Sequence, residues 1–327
     1  MIRVILGFII STLLSVVLMP FVIKIADKFK AKQPILHYVE KHSAKSGTPT
    51  MGGIGILVSA CLAFLIFFRG SSSIALVCLT VAFGYGGIGF VDDLLKVHFK
   101  HNEGLSAKWK LFLQFIVATV VSLYAYFGSE TGGTVKLPFS GASVDFSYFA
   151  IAYYVFIFLG YTNAVNLTDG LDGLASSVTI AFLTSFTLLV GVLASFDMTE
   201  EQTNQVLLCA CFIGALCGFL CYNKFPARIF MGDTGSLALG GLLASISVLS
   251  GLSLFSAILG IIYIASALSV IIQVVWYKRT KKRVFLMAPL HHHFEKKGIH
   301  ENRIVSAYTL VTIIFGAFTI LLSLIFR

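Results

Sequence analysis

Four short carboxylate-bearing segments interrupt an otherwise apolar chain: VDDLLK at 91–96, NLTDGLDG at 166–173, MGDTGS at 231–236 and PLHHHFE at 289–295. A cationic segment, KSGTPTMGG at 45–53, joins them. Mg²⁺ usually takes one or two carboxylates, and substrate phosphate oxygens fill much of its remaining shell. Lysines and exposed helix N-terminal amides favour anions. Together these residue types point to Mg²⁺-dependent chemistry on a phosphorylated substrate.

Each segment also has a plainer reading. Asp92 and Asp93 are adjacent, and adjacent helical positions point about 100° apart. One can hold a metal or substrate while the other orients a lysine, although a polar helix end would account for the pair as well. Asn166, Asp169 and Asp172 recur at i, i+3, i+6, which on a helix lines them along one face. If the segment is a loop, Gly170 and Gly173 permit tight turns and close approach of a ligand. Asp233 opens a helix, where capping and metal ligation can coexist. His291, His292 and His293 are consecutive, so they do not readily converge on one zinc ion. Contact with phosphate or sugar suits them better.

These residues must be positioned by membrane helices. The chain of 327 residues is 57% hydrophobic and 12% charged, with mean hydropathy +0.91; a soluble domain carries roughly 25% charge. A spanning helix needs about 20 largely apolar residues, and ten candidates lie near 4–23, 52–68, 73–91, 109–127, 147–164, 174–194, 205–221, 236–252, 254–276 and 304–326. The breaks between them are short, which predicts one polytopic domain over 1–327. The first apolar run exceeds the length of a signal core and is followed by lysines, so it reads as a retained span. Between Gly128 and Ser147, alternation around Ser140-Gly141 predicts a small external β-hairpin.

Charge distribution orients the bundle. Of 24 Lys and Arg, 20 fall on one set of alternate loops, and only Arg3, Arg69, Lys136 and Arg327 on the other. Positive charge near span ends marks the cytoplasmic face, so both termini are expected outside and all five segments inside. The same asymmetry explains the net charge of +9 without nucleic acid. The six cysteines all lie in apolar spans and read as small core residues. Gly84-Tyr85-Gly86-Gly87-Ile88-Gly89 matches a dinucleotide fingerprint but ends an apolar span instead of following a strand. Close packing explains it better, as it does Gly214 and Gly218.

Taken together, the segments resemble the polyprenyl-phosphate N-acetylhexosamine-1-phosphate transferase superfamily. The likeness runs from KSGTPTMGG through VDD, TNAVNLTDGLDGLA, NKFPARIFMGDTGS and APLHHHFEKKG to the final span. The Asp segments carry the superfamily, and PLHHHFE with GTPTMGG is the narrower signal. The resemblance implies an all-α integral membrane enzyme of the bacterial plasma membrane. It would move phospho-N-acetylmuramoyl-pentapeptide from its UDP carrier to undecaprenyl phosphate, giving lipid I and UMP with Mg²⁺ as cofactor. Its partners would be those two substrates and the lipid bilayer, with a homodimer left open.

Carried over by motif, Asp233 is the expected metal ligand and Asp92 the residue nearest the attacking lipid phosphate. Asp93, Lys108 and His291 would complete the reaction centre. Lys45, Thr50, Asn166, Asp169, Gly170, Leu171, Asp172, Asn223 and Phe230 would bind substrate, with Phe230 stacking on uracil, and His292 and His293 would assist. A sister enzyme moving N-acetylglucosamine-1-phosphate to the same lipid shares the Asp segments. A transporter would instead carry ionisable residues in mid-span, and here the spans are almost free of charge.

Overall fold

The computed structural model describes residues 1–29, 47–70, 73–99 and 104–325. The ten apolar segments all become helices: α1 (Ile2–Lys28), α2 (Gly53–Phe67), α3 (Ser73–Phe99), α4 (Ala107–Phe127), α5 (Phe149–Thr168), α6 (Leu174–Leu193), α7 (Glu200–Asn223), α8 (Gly232–Leu249), the pair α9 (Ser253–Leu259) and α10 (Ile261–Thr280), and, after an additional short helix α11 (Leu290–Lys296), α12 (Glu301–Ile325). Among the described residues, nine helices are long and apolar enough to cross a membrane. With 15 residues, α2 is about 22 Å long at 1.5 Å per residue, short of the roughly 30 Å hydrocarbon core. The ninth predicted span is broken at Gly260 into α9 and α10. The His triplet lies on α11, a single short helix that apolar periodicity did not announce.

The predicted hairpin forms from β1 (Thr134–Lys136) and β2 (Ser143–Asp145), antiparallel with Val135 opposite Val144. It docks on the C-terminal end of α8: Lys136 N donates to Gly251 O at 2.9 Å and Thr131 Oγ1 to Leu249 O at 2.8 Å. The N-terminal ends of α1 and α7 are tied by an Arg3–Glu200 ion pair at 2.6 Å. The C-terminal half of α12 reaches the hairpin, where the Phe318 and Phe139 rings meet at 6.2 Å.

At the centre runs α8, nearly all of it buried, with α2, α3 and α5 packed around it. Small residues let the backbones close in. At Gly89 a Cβ would fall 2.1 Å from the Asp233 carbonyl oxygen, and at Gly86 2.8 Å from Leu57. Two of the four glycines of the fingerprint-like run are thus contact points between helices, whereas Gly84 and Gly87 meet little. Gly214 and Gly218 bring α7 against the backbone of α1 at Phe8 and Thr12.

Candidate active site

The C-terminal part of α3 and the first turn of α8 cross at Gly89, and this contact builds the site. Asp93, 3% exposed, accepts from Asp233 N at 3.1 Å, Thr234 N at 2.9 Å and Thr234 Oγ1 at 2.7 Å. Both its oxygens are therefore spent on the start of α8. A helix N-terminus leaves several amides without intrahelical partners; here a carboxylate from another helix supplies them.

Asp92 and Asp233 face a different set of groups. Lys96 Nζ lies 2.6 Å from Asp92 Oδ2 and 2.7 Å from Asp233 Oδ2. Lys110 Nζ lies 2.7 Å from the same Asp233 oxygen and 3.7 Å from Asp92 Oδ2. Asn166 Nδ2, from the last turns of α5, donates to Asp233 Oδ1 at 2.7 Å and to Ser236 Oγ at 2.8 Å. The Leu105 amide donates to Asp92 Oδ1 at 2.8 Å. Oxygens of Asp92, Asp93 and Asp233 all lie within 4.8 Å of one another. An all-oxygen set of this kind suits Mg²⁺, and the two ammonium groups are of the right charge to take up phosphate oxygens.

Lys108 is exposed, and the lysines brought to the carboxylates are Lys96 and Lys110. Lys96 was open to discovery, since Asp92 and Lys96 stand at i, i+4 on one helix. Lys110 was not. Lys108 and Lys110 flank Trp109, and which of them turns inward depends on how α4 lies against α3.

The loop after α5 departs from the one-face expectation. Helix α5 ends at Thr168, so Asn166 is helical and Asp172 is not; Gly173, at φ 76°, turns the chain into α6. Asp172 Oδ2 accepts from Ala227 N at 2.9 Å, and its own amide donates to Glu301 Oε1 at 2.5 Å. Asn223 accepts from Gly173 N at 3.1 Å and donates to Ile229 O at 3.0 Å. Asp172 and Asn223 thus brace the loop from within. Leu171 is 4% exposed, its side chain in the apolar core, leaving its backbone as the part a substrate could meet. Surrounding protein, then the charges of Asp233, Asp93 and Asp172, push the Asp169 carboxyl up to about 8. Glu301, at the start of α12, escaped the sequence reading because nothing local links it to this loop.

Two of the three imidazoles lie together, the His291 and His292 rings 4.3 Å apart. His291 is fully buried with neither ring nitrogen hydrogen-bonded, and burial together with neighbouring His292 pushes it down to about 3. It is neutral at physiological pH, so it can offer a hydrogen bond but no positive charge. A Cβ at Gly170 would fall 2.2 Å from its Nε2, which makes Gly170 the point where the loop meets α11. His292 Nδ1 lies 3.0 Å from Glu295 Oε2, and His293 Nδ1 accepts from Leu286 N at 3.1 Å.

A backbone ladder closes the site: Phe230 N donates to Pro49 O at 2.8 Å, Gly52 N to Phe230 O at 2.9 Å and Gly53 N to Met231 O at 2.9 Å. It sets Thr50, 5% exposed and with its hydroxyl unpaired, beside Gly232 and Asp93. Phe230 is half-buried. Lys45 lies outside the described residues.

Residues 74–251 match the family model "Glycosyl transferase family 4". A phospho-N-acetylmuramoyl-pentapeptide-transferase of Clostridium acetobutylicum is 45% identical over 317 residues, covering 95% of this chain and 96% of that protein. Proteins of the same name from Thermoanaerobacter pseudethanolicus, at 44% over 317 residues, and Clostridium perfringens strain 13, at 40% over 314, are similar to it over at least 95% of its length.

Proposed function

This chain belongs to glycosyl transferase family 4, among the phospho-N-acetylmuramoyl-pentapeptide transferases, and on that premise we propose that it transfers phospho-N-acetylmuramoyl-pentapeptide from UDP-N-acetylmuramoyl-pentapeptide to undecaprenyl phosphate. The products are lipid I and UMP. The observation that carries this reading is that the Lys96 and Lys110 ammonium groups each lie within 3.7 Å of both the Asp92 and Asp233 carboxylates, across three helices.

Two anions must meet for the reaction to occur, so charge neutralisation and positioning carry most of the catalysis. Asp233 and Asp92 are the residues that would hold Mg²⁺, and Asp93 fixes Asp233 through the start of α8. When bound, the ion neutralises phosphoryl oxygens. Both ammonium groups now rest on carboxylates; on substrate binding they pair with the diphosphate. An oxygen of the lipid phosphate then attacks the β-phosphorus, and the bond to the bridging oxygen breaks, expelling UMP.

A phosphate monoester has a second pKa of about 6, so the nucleophile is largely dianionic at neutral pH. Asp92 orients it or takes its residual proton. Asn166, Asp169, Gly170, the backbone at Leu171, Thr50, Lys45 and Phe230 would line the nucleotide-sugar site, with Asp172 and Asn223 shaping it. His291 would offer a neutral hydrogen bond. The site end of the bundle faces the cytoplasm, where the UDP-sugar is found, and both termini lie outside.

The test is UMP release by the purified protein with undecaprenyl phosphate and either UDP-N-acetylmuramoyl-pentapeptide or UDP-N-acetylglucosamine. Release is expected with the first alone. Release only with the second would assign the chain to the sister activity.

A further inference from the structure

The C-terminal half of α10 stands away from the bundle. Its buried residues, Ile262, Tyr263, Ser266 and Ser269, all lie in its first half. Beyond them Ile271, Ile272, Val274 and Val275 are exposed, and in a membrane protein such a surface is covered by acyl chains. Trp276 and Tyr277 follow, each about half-exposed. Aromatic residues of this kind gather at the level of the headgroups. Over about 10 Å of helix, at 1.5 Å per residue, the surface thus passes from hydrocarbon to the water boundary.

Five cations come next: Lys278, Arg279, Lys281, Lys282 and Arg283, all exposed. No carboxylate occurs in the sequence between Asp233 and Glu295, and among the described residues no ion pair engages the five. They are also not free to disperse. Lys281 ends the helix in the left-handed region, at φ 56°. Gln273 Oε1 accepts from Val284 N at 3.1 Å and Phe285 N at 2.9 Å, and its Nε2 donates to Phe285 O at 3.2 Å. The chain therefore doubles back, returning Val284 and Leu286, both about half-exposed, to the level of Gln273. The cations are held on the crest of a rigid turn, with apolar surface below on both limbs.

We propose that this crest is a binding site for anionic phospholipid headgroups, with the acyl chains lying against residues 271–275 and the re-entering limb. The mutual repulsion of five clustered charges is relieved by phosphates at the same depth, and polybasic segments beside spans attract anionic lipid in this way. An acidic protein would meet a surface half made of hydrocarbon-facing residues, which suits it poorly.

Trp276 is a built-in reporter, since the chain has only two tryptophans; Trp109→Phe leaves it alone. In this background the protein is reconstituted in liposomes containing dibrominated phosphatidylglycerol or dibrominated phosphatidylcholine at equal mole fraction, without polyprenyl phosphate. Bromines quench tryptophan at contact. Quenching is expected to report phosphatidylglycerol binding about fivefold tighter, with the preference fading at about 1 M salt, where the Debye length is about 3 Å. Changing all five cations to Gln should equalise the two lipids, and changing the three lysines to Arg should retain the preference. Equal quenching in the Trp109→Phe protein itself would overturn the proposal without reference to any further variant. So would a preference that survives removal of the five charges.

Discussion

Asp93 on α3 accepts from both the backbone amide and the hydroxyl of Thr234 on α8, at 2.9 and 2.7 Å. One carboxylate of the Asp-Asp pair is thereby a tertiary helix cap, and its neighbour Asp92 is left to the lysines. The two aspartates of one dipeptide serve different ends.

This division predicts opposite phenotypes for Asp93 and Asp233. Asp93→Asn keeps one acceptor but turns a donor toward the α8 amides, so it should cost about 1–3 kcal/mol of stability and lower the melting temperature. Asp233→Asn removes charge from a partly exposed position and should lower UMP release by about two to three orders of magnitude with a smaller change in melting temperature. Thermal unfolding beside the UMP assay distinguishes them; an Asp93→Asn protein as stable as wild type contradicts the cap.

Lys110→Ala should move two readouts in opposite directions. Removing one of the two ammonium groups on Asp233 Oδ2 lessens competition for that oxygen. Unit charges 4 Å apart interact by about 4 kcal/mol at an effective dielectric of 20, so Mn²⁺ binding without substrate, followed by electron paramagnetic resonance, should tighten about tenfold or more. UMP release should fall, because the diphosphate loses a partner. Weaker Mn²⁺ binding in the variant would argue against exchange of lysine for metal.

Asp92 bears on whether the reaction takes one displacement or two. If it orients or deprotonates the lipid phosphate, Asp92→Asn should lose less activity as pH rises above about 6. A nucleophilic aspartate would be needed at every pH, and would release one UMP per site from UDP-substrate alone, leaving a phosphoryl-sugar adduct. We expect neither burst nor adduct in a rapid-quench assay without lipid, paired with intact-protein mass spectrometry.

Two glycines of similar appearance should respond differently to a methyl group. At Gly170 a Cβ would fall 2.2 Å from His291 Nε2, whereas Gly87 has nothing within 4 Å. Gly170→Ala should displace His291 and reduce activity at least tenfold, an effect of about 1.4 kcal/mol on the barrier. Gly87→Ala should leave activity unchanged and stabilise α3 by about 0.5–1 kcal/mol. Equal activities of the two variants would remove Gly170 from the site.

Orientation is open to cysteine labelling in intact cells. Cys61, Cys217 and Cys221, those not buried, are replaced first. Cysteines at Ser140 and Glu200 should then react with an impermeant reagent, and cysteines at Lys224 and His292 only after permeabilisation. Labelling at 292 from outside would reverse the topology.

The spans and the hairpin were legible in the amino-acid sequence, because apolar runs and turn residues are local properties. The motif resemblance supplied the family for the same reason. Which partners each residue of the motif segments meets was decided by contacts between helices. Asp92 and Asp93 are alike in sequence and part only because Gly89 lets α8 approach one side of α3. Lys110, not Lys108, reaches Asp233 because of how α4 is rotated, and Glu301 reaches the Asp172 amide across 129 positions of chain. The break in the ninth span at Gly260 and the burial of His291 likewise follow from packing. Periodicity tells which face of a helix is apolar. It does not tell which neighbour that face will meet, and in this protein the meeting of polar groups from separate helices makes the site.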